Sequence, residues 1–155
     1  MLVRRATTAD IDRLSALNAG VQLLHAEGRP DLFREPEPEA LRAFLAEQLA
    51  EGAIVLIADV DGAVGGYILA EVNARPANPF RHASKSLYVH HIAVDPGQRR
   101  QGVGQQLMDA AVAIGRAEDV DAVRLDSWSF NHDAHTFFEA MGFTPINVVF
   151  ERRLR

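Results

Sequence analysis

The sequence predicts an α/β fold with a mixed sheet, and three observations carry that expectation. Residues 53–60 and 63–72 are apolar, β-rich runs joined by Asp61-Gly62, the dipeptide of a tight hairpin, so they pair antiparallel. Residues 87–94 and 122–128 read as strands on either side of a segment with helical periodicity. A strand–helix–strand unit of that kind joins parallel neighbours through a right-handed crossover. The full order reads β-α-α-β-β-β-α-β-α-β.

Residues 2–5 suit a short opening strand. Thr7, with Asp10 three residues on, is an N-terminal capping signal. Behind it Ile11, Leu14, Leu17, Val21 and Leu24 recur at helical spacing to about His25. Gly28, Pro30, Pro36 and Pro38 punctuate a loop over residues 27–39, and a second helix places Leu41, Phe44, Leu45 and Leu49 on one face. Gly52 ends it, and the hairpin comes next. Residues 73–84 hold two prolines and several polar side chains, which predicts an exposed loop. After the strand at 87–94, Val103, Leu107, Ala110, Ala111 and Ile114 mark a helix over 102–118. The strand at 122–128 precedes a helix over 131–141 that carries Ala134, Phe137, Phe138 and Met141 on one face. Gly142 stops it, and residues 146–154 look like a closing strand.

At 155 residues the chain suits one domain, residues 1–155, with no linker or repeat dividing it. Hydrophobic residues make up 48% and charged residues 24%, an ordinary globular balance. The net charge is −5, so bulk charge gives no reason to expect a nucleic-acid partner. With no cysteine, disulfides, a thiolate nucleophile and cysteine metal sites are excluded. Arg4 and Arg5 have no apolar run behind them to make a secretory signal, and no stretch is long enough to span a bilayer. The expectation is a cytoplasmic protein without a membrane partner.

The most informative stretch is Val94-Asp95-Pro96-Gly97-Gln98-Arg99-Arg100-Gln101-Gly102-Val103-Gly104. A strand runs out, Asp-Pro-Gly turns it, and a basic, glycine-containing loop opens a helix. Free backbone N–H groups at a helix start suit a phosphate, glycines permit close backbone approach, and Arg99 and Arg100 add charge for a pyrophosphate. The plain rival is a strand-to-helix turn with solvated arginines. Neither the nucleotide-hydrolase pattern G-x-x-x-x-G-K-[ST] nor the dinucleotide pattern G-x-G-x-x-G occurs, since Leu107 stands at the last position.

The pattern R-x-x-G-x-G after Ile92-Ala93-Val94 resembles the pyrophosphate loop of the GNAT superfamily of acyl-CoA-dependent N-acetyltransferases. A second stretch, Asn131, Ala134, Phe137, Phe138, Glu139, Gly142 and Phe143, resembles that family's N-x-x-A-x-x-F-Y-E-x-x-G-F signature. The resemblance implies a mostly antiparallel sheet with two splayed parallel central strands, and acetyl-CoA held between them. Backbone groups of Ile92, Ala93 and Val94 would hold the acetyl group and pantetheine. The loop of Arg99, Arg100, Gln101, Gly102, Val103, Gly104 and Gln105 would take the pyrophosphate, and Asn131 would contact the pantetheine arm. An amine would attack the thioester directly. Family habit also implies a homodimer through the closing strand. The rival functional reading is an acyl-CoA sensor of the same fold without turnover.

Amine acetylation needs a base, because a primary amine with pKa about 10 is mostly protonated at neutral pH. Strand alternation sends His90 and His91 to opposite faces, and the resemblance gives the site-facing parity to Tyr88, His90 and Ile92. His90 is therefore the first candidate base, against simple packing in the sheet, and His91 is read as structural. Asp126 is the second, against a solvated strand-end carboxylate or a partner for Arg124. The family's acid tyrosine is replaced by Phe138, which leaves Tyr88 or water to protonate the thiolate. His132 and His135 lack a carboxylate cluster, so no metal is expected. Trp128 and Phe130 are candidate walls of an acceptor pocket.

Overall fold

A computed structural model describes all 155 residues. Strands β1 (Leu2–Arg5), β2 (Ile54–Val60), β3 (Ala63–Arg75), β4 (Ser84–Val94) and β5 (Ala122–Leu125) form one sheet in sequence order. Helices α1 (Ile11–Gly28) and α2 (Pro38–Ala50) precede β2, α3 (Val103–Ala117) joins β4 to β5, and α4 (His132–Ala140) comes after β5. All neighbours run antiparallel except β4 and β5, which are parallel. No helix is long and apolar enough to cross a membrane.

Local chemistry accounts for most of these elements. The Thr7–Asp10 capping box forms, with the Thr7 N–H donating to Asp10 at 2.8 Å, and Arg4 clamps the same carboxylate at 2.9 and 3.0 Å. That clamp fixes β1 to the entry of α1. Pro38 opens α2, where its missing N–H costs nothing. Asp61 and Gly62, at φ 54° and 84°, make the predicted hairpin turn, whose left-handed backbone suits these residues.

The sheet buries apolar side chains on both faces. Leu56, Ile68, Leu87 and Val89 pack with Leu107, Met108 and Ala111 of α3. On the opposite face Val55, Ile57, Tyr67 and Leu69 meet Leu14 and Leu17 of α1 and Leu45 of α2. Each fully buried aliphatic side chain contributes about 1.5–3 kcal/mol. These two layers hold the sheet as a rigid plate.

Two irregularities in β4 shape the end of the sheet nearest β5. Opposite the Leu69–Ala70 step of β3, Val89 pairs with Ala70 and His91 with Leu69, which leaves His90 as an extra residue, a β-bulge. β5 pairs with β4 only from Ser86 to Val89, while β4 continues to Val94. Beyond that last pair the two parallel strands separate, and a wedge opens between them.

Several boundaries differ from the sequence reading. β3 runs three residues beyond Val72 and β4 starts three before Leu87, because the two ribbons keep pairing out to Arg75 and Ser84. β5 stops at Leu125, short of Trp128, since no partner remains beyond the wedge. The expected closing strand over 146–154 does not form. Ile146, Val148, Val149 and Phe150 are 66–92% exposed, and neither sheet edge of the chain pairs with them. Instead Glu151 and Arg153 reach the turn after α1, where Glu151 pairs with Arg29 at 2.9 Å and Arg153 with Asp31 at 3.6 Å.

Candidate active site

The wedge holds a cavity of about 360 Å³. β4 supplies Val89, His90, His91, Ile92 and Ala93; the end of β5 supplies Leu125, Asp126, Ser127 and Trp128. Asn18 and His25 of α1, Phe44 of α2, and Asn131 and Phe138 at α4 also line it. Ile92, Ala93 and Val94 lie beyond the last β4–β5 pair, so their β5-side backbone groups have no strand partner. Such groups can hydrogen-bond an extended amide-bearing chain lying in the wedge.

The bulge at His90 corrects the expected parity. Before it, Leu87 and Val89 face α3; after it, Ile92 and Val94 do, and Ala93 faces α1 and α2. The extra residue breaks simple alternation, so both histidines reach the cavity and Tyr88 does not line it. Tyr88 stacks on His90 with ring centres 4.9 Å apart. His90 Nε2 lies 2.9 Å from Glu71 Oε1.

His91 sits deeper. The amide of Asn18 donates to the Tyr67 hydroxyl at 2.9 Å, and that hydroxyl lies 3.1 Å from His91 Nδ1. Because the Tyr67 hydroxyl already accepts from Asn18, its own proton is free to go to Nδ1, which puts the proton of the neutral ring on Nε2. Burial pulls the His91 pKa down to about 4, aided by the neighbouring His90 and His25. Burial likewise lowers His25 and raises Tyr67. These groups are neutral at neutral pH. His91 was expected to be structural, but its partners Asn18 and Tyr67 were not foreseen, although Asn18 stands out as a polar residue on the apolar stripe of α1.

Asp126 is exposed at the cavity wall and forms no ion pair, with Arg124 or otherwise. Phe138 contributes its ring to the wall, packed edge-on against Phe137 and Phe143. Asn131 caps α4, its Oδ1 accepting from Ala134 N–H at 3.2 Å. That local duty accounts for one end of its side chain, and the amide nitrogen is left for the cavity. His132 and His135 face each other, ring centres 6.1 Å apart, and His135 Nε2 lies 3.0 Å from the Trp128 carbonyl.

The loop beyond β4 is anchored before it turns basic. Asp95 accepts from Gly97 N–H at 2.7 Å and binds the Arg13 guanidinium, which also donates to the Val64 carbonyl at 3.1 Å. Arg13, then the Gly97 N–H, hold the Asp95 carboxyl below the usual carboxylate range. Arg100 and Gly102 then take left-handed backbone, at φ 64° and 80°. α3 starts with no side-chain cap, and the N–H groups of Val103, Gly104 and Gln105 have no intramolecular acceptor. Arg99, Arg100, Gln101, Gly102 and Gln105 are exposed around them, whereas Val103 is buried. Unpartnered N–H groups at the positive end of a helix beside two free arginines fit an anionic phosphate. Gly104 has a further reason to be glycine: a Cβ there would sit 3.1 Å from the Phe137 ring.

A sheet with a bulged strand, a wedge between parallel strands and an anion cradle at a helix start defines the acyltransferase class of α/β fold. Residues 20–143 match the acetyltransferase (GNAT) family, and the chain belongs to that family. Among solved structures, the F44R variant of the BH1408 protein from Bacillus halodurans is 29% identical, superposing with a TM-score of 0.91 over 100% of both chains. Aminoglycoside N-acetyltransferase AAC(6')-Iy in complex with CoA shares the fold, with a TM-score of 0.77 at 22% identity over 99% of this chain and 95% of that one. Mycothiol acetyltransferase of Beutenbergia cavernae is 39% identical over 66 residues, 43% of this chain. That match spans only 22% of the mycothiol enzyme.

Proposed function

We propose that this chain, acting as one acetyltransferase domain over residues 1–155, moves an acetyl group from acetyl-CoA to the primary amine of a small molecule. Two features that flank the end of β4 carry the reading: unpartnered N–H groups at the start of α3, and a β4–β5 cavity lined by His90 and Asp126. The helix start at Val103–Gln105 and the side chains of Arg99, Arg100 and Gln101 hold the pyrophosphate, with Gly102 turning the chain into the helix. Backbone groups of Ile92, Ala93 and Val94 hold the pantetheine and the acyl group, and the Asn131 amide nitrogen contacts the same arm.

When bound, acetyl-CoA supplies an electrophilic thioester carbonyl. The acceptor enters as an ammonium ion, and His90 accepts its proton, with Glu71 at 2.9 Å stabilising the imidazolium. Asp126 is the second candidate for that proton. The C–N bond then forms as the C–S bond breaks, the second proton of the nitrogen passes through water to the thiolate of CoA, and His90 returns the first to solvent. Phe138 has no proton to give, and Tyr88 lies outside the cavity. A thiol of pKa near 8.5 leaves without a strong acid, so the tyrosine's absence slows the step without forbidding it.

Release of free CoA thiol from acetyl-CoA, measured with and without added amine, tests the reading. Amine-dependent release supports it; tight acetyl-CoA binding with no release for any amine would favour the sensor reading that Phe138 invites.

A further inference from the structure

We infer that the acceptor is a monoamine with a compact aromatic body, rather than a polyamine, an aminosugar or an amino acid. This rests on the transferase reading and adds a substrate class to it.

The first support is charge. Asp126 is the only carboxylate lining the cavity, and no lysine or arginine lines it. Burial lowers the pKa of His25 and His91, which keeps both uncharged, and Glu71, which His90 contacts at 2.9 Å, does not line the cavity. One ammonium therefore finds one carboxylate. A second ammonium would lose water with no partner, and a substrate carboxylate would meet Asp126 with no cation to offset it.

The second is the nature of the walls. Phe44 of α2 and Trp128 after β5 both line the cavity and both remain 41% exposed. Trp128 is nonetheless held firmly. Phe33 packs edge-on against it at 5.0 Å and Phe130 stacks at 6.4 Å, while His135 lies 3.0 Å from its carbonyl. Gly28 is what allows this, since a Cβ there would strike the Phe130 ring at 2.5 Å. An indole fixed in place yet left open to the cavity is a ready surface for an aromatic ring or an ammonium group. The third support is size, because the cavity's 360 Å³ must take both the acyl end of the donor and the acceptor.

Trp128 is the chain's single tryptophan, so its fluorescence reports occupancy of this wall directly. The test titrates 2-phenylethylamine, phenylalanine and spermidine into the protein, with and without CoA, reading Trp128 emission without turnover. Phenylethylamine should bind at least roughly tenfold more tightly than either comparator, the scale of one unpaired charge. D126N, a change at an exposed position, should remove that advantage over phenylalanine while leaving CoA affinity unchanged. Spermidine or phenylalanine binding as well as phenylethylamine, or an emission spectrum that no amine moves, would overturn the inference. Calorimetry of CoA on the same samples separates the two readings. If CoA does not bind, the transferase reading fails; if CoA binds while the amine ranking differs, only the acceptor class fails.

Discussion

His90 and His91 are adjacent in sequence but sit in opposite circumstances. His90 is exposed and pairs with a carboxylate, whereas His91 is held by Tyr67 and kept neutral. The consequence for His91 is a stability that depends on pH. Its folded pKa of about 4 lies below the unfolded value near 6.5, so between those values the unfolded chain binds more protons. Stability from this residue is full above about 6.5 and falls as the pH drops toward 4. At pH 5 the loss is about 2 kcal/mol. Thermal unfolding at pH 7.5 and pH 5 should show H91N losing less stability on acidification than the wild type, by roughly that amount. Equal losses in both proteins would mean that His91 does not sense pH. The trio itself was not legible in the sequence, because Asn18 and Tyr67 lie 49 positions apart and meet only when α1 packs on the sheet.

At the scale of elements, local chemistry was legible and pairing irregularities were not. The capping box, the Asp61-Gly62 hairpin and the helix opening at Gly102 are written in short motifs that act on their own backbone. The bulge at His90 depends on how β3 and β4 align, which no local motif states, and it reversed the expected facing of Tyr88 and His91. Gly104 was read as making room for phosphate, yet a Cβ there would also crowd the Phe137 ring of α4 at 3.1 Å. The C-terminal segment pairs with neither edge of its own sheet; Glu151 and Arg153 tie it to Arg29 and Asp31 instead. We propose that it pairs with the exposed β5 edge of a second copy, giving a homodimer that covers Val148 and Phe150. Light scattering should then give twice the 17.0 kDa chain mass, and F150D together with V148D should return it to one. A single-chain mass for the wild type at every concentration would refute this arrangement.

The whole molecule carries a net charge of −5, yet it presents two unpaired arginines at a helix start whose N–H groups have no acceptor. Such a locally cationic helix start on an acidic protein is suited to an anion by position rather than by bulk charge. Helices α1 and α2 pack on one face of the sheet and α3 on the other, and residues 95–102 lead from β4 directly into the start of α3. The family and the parallel β4–β5 pair were the most legible part of the fold, since two spaced motifs and the element order marked them together. The decisive measurement is calorimetric titration of acetyl-CoA into the wild type and into the R99A/R100A double variant. These two positions are exposed, whereas a change at Gly104 would disturb Phe137 and confound the result. One acetyl-CoA should bind per chain, with affinity falling at least roughly tenfold in the variant and weakening with added salt. Absence of binding, or equal affinity in the two proteins, would contradict this.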